Sequence, residues 1–367
     1  MVIRALLEPL TRSQAGLRAV EALQAASGLR SPTDKDTLPY VFFRLASSFG
    51  EEIFSLMPAL FWFGFPHIAL PFSTNFVLVI LTGQWLKDVI RLPRPEIVPL
   101  TKIIRLESHF ETEFGMPSTH STSGLMPFVV LLSMQRHYPA LHASLPHWIY
   151  PLFGFLSVAV GVSRLYMGVH SVADVAVGLA LGSAGVLALH WAGDSFDAFV
   201  YKTSAGIAVP LLSLVWFCFF YPKSRPWSAA WGTAAQIYGT WFGVAIGANL
   251  ILTVPSLGWI AARLAHNSSR PASDWRAAVI VPELLVAAAV AGAARVLSKA
   301  LAQGLALRLL ASGRLRPHPA ERRDVLGRPV PDVKLYCVEV PTRLVSYGVL
   351  ALSVVVLTPA AWVALGL

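Results

Sequence analysis

"SRLYMGVHSVAD", Ser163 to Asp174, lies between two long apolar stretches. Arg164, His170 and Asp174 therefore sit where a membrane-crossing chain ordinarily carries no charge. Ionisable groups at such a place are costly unless they pair or act. The flanking stretches, residues 148–165 and 171–192, have the length of about 20 residues that a bilayer core demands. The same pattern recurs at 51–70, 74–92, 117–136, 204–221, 234–254, 278–298 and 343–365. The chain has 367 residues, 55% of them hydrophobic and 13% charged, and its mean hydropathy is +0.60. A soluble domain carries about 25% charged residues. The apolar runs are continuous rather than alternating, which excludes a β-barrel. The expected fold is all-α, a polytopic transmembrane helical bundle of about 8–10 spans.

Residues 1–50 are mixed. Leu10, Leu17 and Val20 fall at i, i+7 and i+10, and Leu23 continues the stripe, which predicts an amphipathic helix at the membrane surface. "SPTDKDTLP" (31–39) reads as a linker. The first forty residues contain no apolar core of a signal peptide, so the first span is expected to double as the targeting signal. Residues 299–311 either lengthen the eighth span or lie along the interface. Residues 312–335, with Arg314, Arg316, Arg322, Arg323 and Arg328, form a basic loop. No repeat divides the chain. The organisation is an amphipathic N-terminal segment and linker (1–50) followed by one membrane domain (51–367). Cys218 and Cys337 are isolated and read as packing residues. The net charge of +9 fits residues that flank spans and meet anionic headgroups or phosphates. With no nucleic-acid motif present, no nucleic-acid partner is expected.

Two further stretches supply partners for the first. In "KDVIRLPRP" (87–95), Lys87, Arg91 and Arg94 fall at i, i+4 and i+7, a spacing that places three cations on one helix face before Pro93 and Pro95 end the helix. Alone, the cluster also reads as a span anchor. In "GMPSTHSTSG" (115–124), Gly115 and Pro117 mark a turn into a helix whose first turn holds Ser118, Thr119 and His120. Free N–H groups and the positive dipole end point there, although a plain Ser/Thr cap with an incidental His gives the same letters. In the opening stretch, His170 precedes Asp174 by four residues, so on a helix the two share a face and the carboxylate fixes one imidazole tautomer. A His–Asp pair capping a helix start is the plainer alternative.

Together the three stretches supply cations and helix N–H groups for phosphate oxygens, and two histidines of which only one has a carboxylate at i+4. This is equipment for phosphoryl transfer without a metal. No carboxylate cluster suited to Mg²⁺ and no His/Cys cluster suited to zinc is expected, and no cofactor. Glu107, Glu111 and Glu113 read as a solvated acidic connection.

These motifs resemble the signature of the type 2 phosphatidic acid phosphatase superfamily: Lys-x6-Arg-Pro (Lys87 to Pro95), Pro-Ser-x-His (Pro117 to His120) and Ser-Arg-x5-His-x3-Asp (Ser163 to Asp174). All fixed positions match in order, over residues 87–174 only. Thr119 replaces the usual Gly, and with "EFGMPSTHSTSG" the chain looks like the sphingosine-1-phosphate phosphatases of the endoplasmic reticulum. "YVFFRLASSFGEEIF" (40–54) and "VEVPTRLVSYG" (338–348) resemble segments flanking that family's core. The resemblance implies a six-helix phosphatase core and a set of roles. His170 attacks phosphorus to give a phosphohistidine, and Asp174 orients it. His120 protonates the leaving alkoxide and later activates water. Lys87, Arg94, Arg164, Ser118 and the backbone at Thr119 hold phosphate oxygens. Arg91 lies outside the signature.

The implied substrate is a lipid phosphate in the bilayer, of the sphingoid-base class. A broad lipid phosphate phosphatase acting on phosphatidate or lysophosphatidate, and a non-catalytic lipid transporter or scaffold on the same fold, are the rivals. A polyprenyl pyrophosphatase matches only at the shared signature. Oligomeric state is not legible. By span parity the N-terminus, the motifs and loop 312–335 share one side of the membrane, and the sequon Asn267-Ser268-Ser269 lies on the other. The positive-inside tendency makes the motif side cytosolic; the resemblance makes it lumenal, which is the expectation adopted.

Overall fold

The computed structural model describes residues 2–50, 61–95, 101–107, 112–268 and 277–366. These residues form an all-α, multi-pass bundle, and six helices are long and apolar enough to cross a membrane. Three helices precede the bundle: α1 (Val2–Thr11), α2 (Gln14–Ala26) and α3 (Leu38–Ser48). The bundle comprises α4 (Pro66–Ile90), the short α5 (Thr119–Ser123), α6 (Met126–His137), α7 (Ile149–Tyr166), α8 (Val172–Lys202), α9 (Ala208–Phe220), α10 (Ala230–Thr253), α11 (Gly258–Ser268), α12 (Ala277–Ala311) and α13 (Tyr336–Leu352). The last runs through a π-turn into α14 (Thr358–Leu365).

Several boundaries differ from those expected. The stretch 117–136 is not one span. The helix stops at Ser123, and Pro127 in the first turn of α6 starts another, because proline has no N–H to give a preceding turn. The 74–92 stretch begins earlier, at Pro66, and half of the expected first span 51–70, residues 51–60, lies outside the described residues. Residues 299–311 lengthen α12 to 35 residues. The N-terminal stripe is split between two helices. Leu17 and Val20 are buried while Leu10, on α1, is exposed.

An aromatic core ties the C-terminal helices to α4. Phe217 stacks on Tyr238 at 4.9 Å, Tyr221 on Trp231 at 5.8 Å, and Tyr336 meets Trp231 edge-on. Burial of large rings dominates such packing. α8 instead meets its neighbours through glycines. A Cβ at Gly178 would lie 2.3 Å from the Ser118 carbonyl oxygen, and one at Gly182 would lie 2.5 Å from that of Thr122, so α5 rests directly on the α8 backbone.

The parity argument holds despite the changed boundaries. Backbone bonds from Trp227 to Arg323 and from Ala229 to Thr112 bring loop 312–335 and the start of α10 to the end where α4 finishes and α8 begins. The opposite end holds α11 and the start of α12, where Arg263 pairs with Glu283 at 2.7 Å. The described part of the 255–277 stretch, up to Ser268, is mostly helical rather than an open loop. Asn267 sits on α11, buried, with its amide oxygen accepting from Arg263. A buried, engaged amide is no glycan acceptor whichever side it faces, so the sequon carries no topological information.

Candidate active site

The chain turns at three places to bring the motifs together. α4 ends at Ile90, and Arg91 adopts a left-handed conformation (φ 56°). The expected row of three cations therefore breaks. Lys87 remains on the helix, Arg91 turns outward to donate to the Asp88 and Lys223 carbonyls, and Arg94 returns inward on the extended "LPRP" segment. Proline disfavours helix in the residue before it, which is why the helix stops short of Pro93.

Ser118 is the N-cap of α5, its hydroxyl accepting from the Ser121 N–H at 3.4 Å and the Ser121 hydroxyl at 2.9 Å. Thr119 and His120 are buried in the first turn, as expected. The Thr119 methyl fills the notch over Gly83. A Cβ at Gly50 would lie 3.1 Å from that of His120, so the residue preceding α4's connection must be small to let the imidazole in.

His170 and Asp174 do not share a helix face. α8 begins at Val172, and His170 precedes it. A capping box holds the pair: the Ser171 N–H donates to Asp174 Oδ2 at 2.8 Å, and the Asp174 N–H donates to the Ser171 hydroxyl at 3.2 Å. The same Oδ2 lies 3.5 Å from His170 Nδ1. The helix start is capped by Ser171 with Asp174, and the His170 ring lies beside that cap. Nε2 is left facing the cations, 3.4 Å from an Arg94 nitrogen that also donates to the Val169 carbonyl at 2.7 Å. The Ser118 N–H donates to the Asp174 carbonyl at 3.0 Å, locking the second motif to the third.

Arg164, wholly buried on the last turn of α7, donates to Ser47 at 2.5 Å and lies 3.4 Å from Glu107. Lys87, Arg94, Arg164 and His120 are all near enough to act on the His170 imidazole. Burial and these charges hold it well below its ordinary value, so the ring stays neutral, the form a nucleophile needs. Every residue expected at the site, His170, His120, Asp174, Lys87, Arg94, Ser118, Thr119 and Arg164, is thus gathered at one buried place. An apolar cavity of about 570 Å³ between α4, α8, α9 and α10 is lined by none of them.

Two sets of residues at the site went unread in the sequence. Glu113 and Glu107 are not a solvated connection: Glu113 pairs with Lys87 at 2.7 Å, and Glu107 is buried beside Arg164; Glu111 lies outside the described residues. The excess of cations over carboxylates in the motifs was the available signal. Gln24 of α2 is the other. Its amide donates to the Ile104 and Tyr166 carbonyls at 2.6 and 2.9 Å and accepts from the Ile104 N–H at 2.9 Å. Nothing local in the sequence marks it.

The chain is similar to sphingosine-1-phosphate phosphatase 1 of Mus musculus, with 32% identity over 59% of this chain and 49% of that protein. It is similar to sphingosine-1-phosphate phosphatase 2 of Homo sapiens, with 29% identity over 63% of this chain and 57% of that one. A dihydrosphingosine 1-phosphate phosphatase of Schizosaccharomyces pombe shares 28% identity over 50% of this chain and 45% of its own length. The chain thus spans about half the length of the curated relatives it matches. No solved structure matches it. Residues 68–196 match the PAP2 superfamily, and all three motifs and the α4, α5 and α8 contacts that join them fall within that range.

Proposed function

We propose that the chain is a membrane lipid phosphatase, a phosphoric monoester hydrolase that dephosphorylates sphingosine 1-phosphate or a related long-chain base phosphate. The observation that carries the reading is the placement of the His170 imidazole, with Asp174 Oδ2 3.5 Å from Nδ1 and an Arg94 nitrogen 3.4 Å from Nε2. Nε2 attacks phosphorus, and the bond to the lipid oxygen breaks. His120 gives that oxygen a proton, releasing the alcohol and leaving phosphate on His170. His120, now neutral, takes a proton from water, the hydroxide displaces His170, and orthophosphate leaves. Lys87, Arg94 and Arg164 hold the equatorial oxygens, where charge-assisted bonds in a water-poor site are strongest. The long-chain substrate class rests on similarity to the relatives named above. So does placement in the endoplasmic reticulum with a lumenal site.

The test is a panel of lipid phosphates in detergent with the two histidine variants. His170→Ala is expected to abolish phosphate release. His120→Ala is expected to be slow on alkyl phosphates and partly rescued by an aryl phosphate whose leaving group needs no proton. Equal rescue of both variants refutes the assignment of nucleophile and acid. Faster turnover of phosphatidate than of sphingoid phosphate makes the enzyme a broad lipid phosphate phosphatase, and no turnover of any ester leaves only a non-catalytic role.

A further inference from the structure

The phosphate cradle is engaged by the protein's own carboxylates. Glu113 Oε2 lies 2.7 Å from Lys87 Nζ and 3.8 Å from an Arg94 nitrogen, and Arg94 Nε donates to the Glu113 carbonyl at 3.0 Å. Six residues earlier on the same connection, Glu107 lies 3.4 Å from Arg164. Lys87, Arg94 and Arg164 are the three cations that hold phosphate in the reading above. Each lies against a carboxylate oxygen that carries negative charge where a phosphate oxygen would.

We propose that Glu113 and Glu107 are resident counter-anions of that site, which a phosphomonoester must displace, so that free phosphate binds poorly and a phosphate with a long apolar tail still binds well. The proposal rests on the phosphatase reading for its substrate. A phosphate dianion and two carboxylates in one buried cluster repel each other strongly, because the low dielectric leaves their charges unscreened. Entry of the headgroup therefore requires the carboxylates to leave. Both have a place to go. Glu107 Oε1 already lies 3.5 Å from Arg44, which is far more exposed than Arg164, and Glu113 Oε1 lies 3.3 Å from the Thr233 hydroxyl of α10.

The cost of displacement falls equally on every phosphate. A long-chain ester offsets it with binding energy from its tail. Orthophosphate has no tail, so it is released after the second step instead of remaining to inhibit. The opposing account is that Glu113 merely holds Lys87 in position, and it predicts the opposite sign for every measurement below.

The experiment measures the binding of inorganic phosphate, and of vanadate in parallel, to the full-length protein in detergent by the shift in melting temperature. When a closed latch outnumbers the open form about ten to one, apparent affinity falls about tenfold. Glu113→Gln is therefore expected to tighten orthophosphate binding about tenfold or more, and Glu107→Gln to act in the same direction through Arg164. Thr233→Val keeps all three cations and both carboxylates but removes the hydroxyl toward which Glu113 retreats, so weaker orthophosphate binding is expected. It decides the matter if Glu113→Gln does not fold. Unchanged or weaker orthophosphate binding in the two Glu→Gln variants overturns the proposal, as does unchanged or tighter binding in Thr233→Val. In turnover, Glu113→Gln is expected to make orthophosphate a product inhibitor about tenfold stronger; unchanged or weaker product inhibition also overturns it. If the wild type hydrolyses no phosphomonoester and yet Glu113→Gln tightens orthophosphate, the phosphatase reading fails and the counter-anion role stands. If the wild type is active and orthophosphate binding is unmoved, the reverse holds.

Discussion

Gly178→Ala tests whether the site depends on how closely α5 rests on α8. An added Cβ lies 2.3 Å from the Ser118 carbonyl oxygen and 3.1 Å from the Ser121 Cβ, against an ordinary contact of at least 3.4 Å. The obstacle is backbone, which cannot rotate away as a flexible side chain can. α5 must retreat by about 1 Å, at an overpacking cost of about 1–3 kcal/mol. Two bonds oppose that retreat: the Thr122 hydroxyl to the Gly178 carbonyl at 2.9 Å, and the Ser118 N–H to the Asp174 carbonyl at 3.0 Å. α5 carries His120, whereas His170 and Asp174 belong to the start of α8. The substitution therefore separates the proton donor from the nucleophile. A misplacement of about 1 Å costs on the order of a hundredfold in rate. The cations Lys87, Arg94 and Arg164 sit on other segments, so substrate affinity is expected to change little. Phosphate release from a long-chain phosphate in detergent, with melting temperature as the folding control, reads the outcome: kcat down about a hundredfold, KM within a few-fold. A folded Gly178→Ala enzyme with full activity refutes the close-packing argument.

Lys87→Ala removes a charge-assisted contact worth roughly 1.5–3 kcal/mol, so kcat/KM is expected to fall about tenfold to a hundredfold. Arg91→Ala, whose guanidinium points outward to backbone carbonyls, is expected to cost far less, and parity between the two in the same assay places the binding face wrongly. Activity is expected to survive chelation by EDTA and to be inhibited by vanadate; loss on chelation restored by Mg²⁺ contradicts a metal-free reaction. His170 takes up a proton in the unfolded chain near the ordinary 6.5 but resists it when folded. The folded state therefore loses stability as pH falls from about 6.5 toward the depressed folded value, with no effect above. Melting in detergent between about pH 7.5 and 5 is expected to show this slope, and His170→Asn to flatten it. Trypsin on sealed microsomes checks the membrane side. Exposed Arg314 and Arg322 on the motif-side loop are expected to be protected until detergent is added, and cleavage in intact vesicles makes the site cytosolic.

The motifs were legible because each packs its chemistry into a few neighbouring letters. Ser118 caps its helix and His120 lies in the first turn as the letters imply. The spacing of His170 and Asp174 implies proximity, but not through a shared helix face: the capping box between Ser171 and Asp174 places the carboxylate beside a His170 that precedes the helix. The cation row failed at Arg91, because periodicity was continued past the point where Pro93 stops a helix. The break at Ser123 and the glycines at 178 and 182 were readable in principle, from Pro127 and from a small-xxx-small spacing on α8. The excess of cations in the motifs asks for counter-charges, but nothing local singles out Glu113. A carboxylate on a polar connection looks solvated until the fold shows it lying 2.7 Å from Lys87. Long-range partners of this kind leave no periodic trace.

Gln24 sets an order in time. It bonds to residues 80 and 142 positions further along the chain, and these belong to the loop that carries Glu107 and the turn that ends α7 beside Arg164. At synthesis rates of about 5–20 residues per second, the amide waits roughly 7–30 s for its last partner. α2 is thus among the first helices made, yet its buried amide is satisfied only once α7 is complete. When the Tyr166 carbonyl arrives, one side chain closes both the loop and the turn.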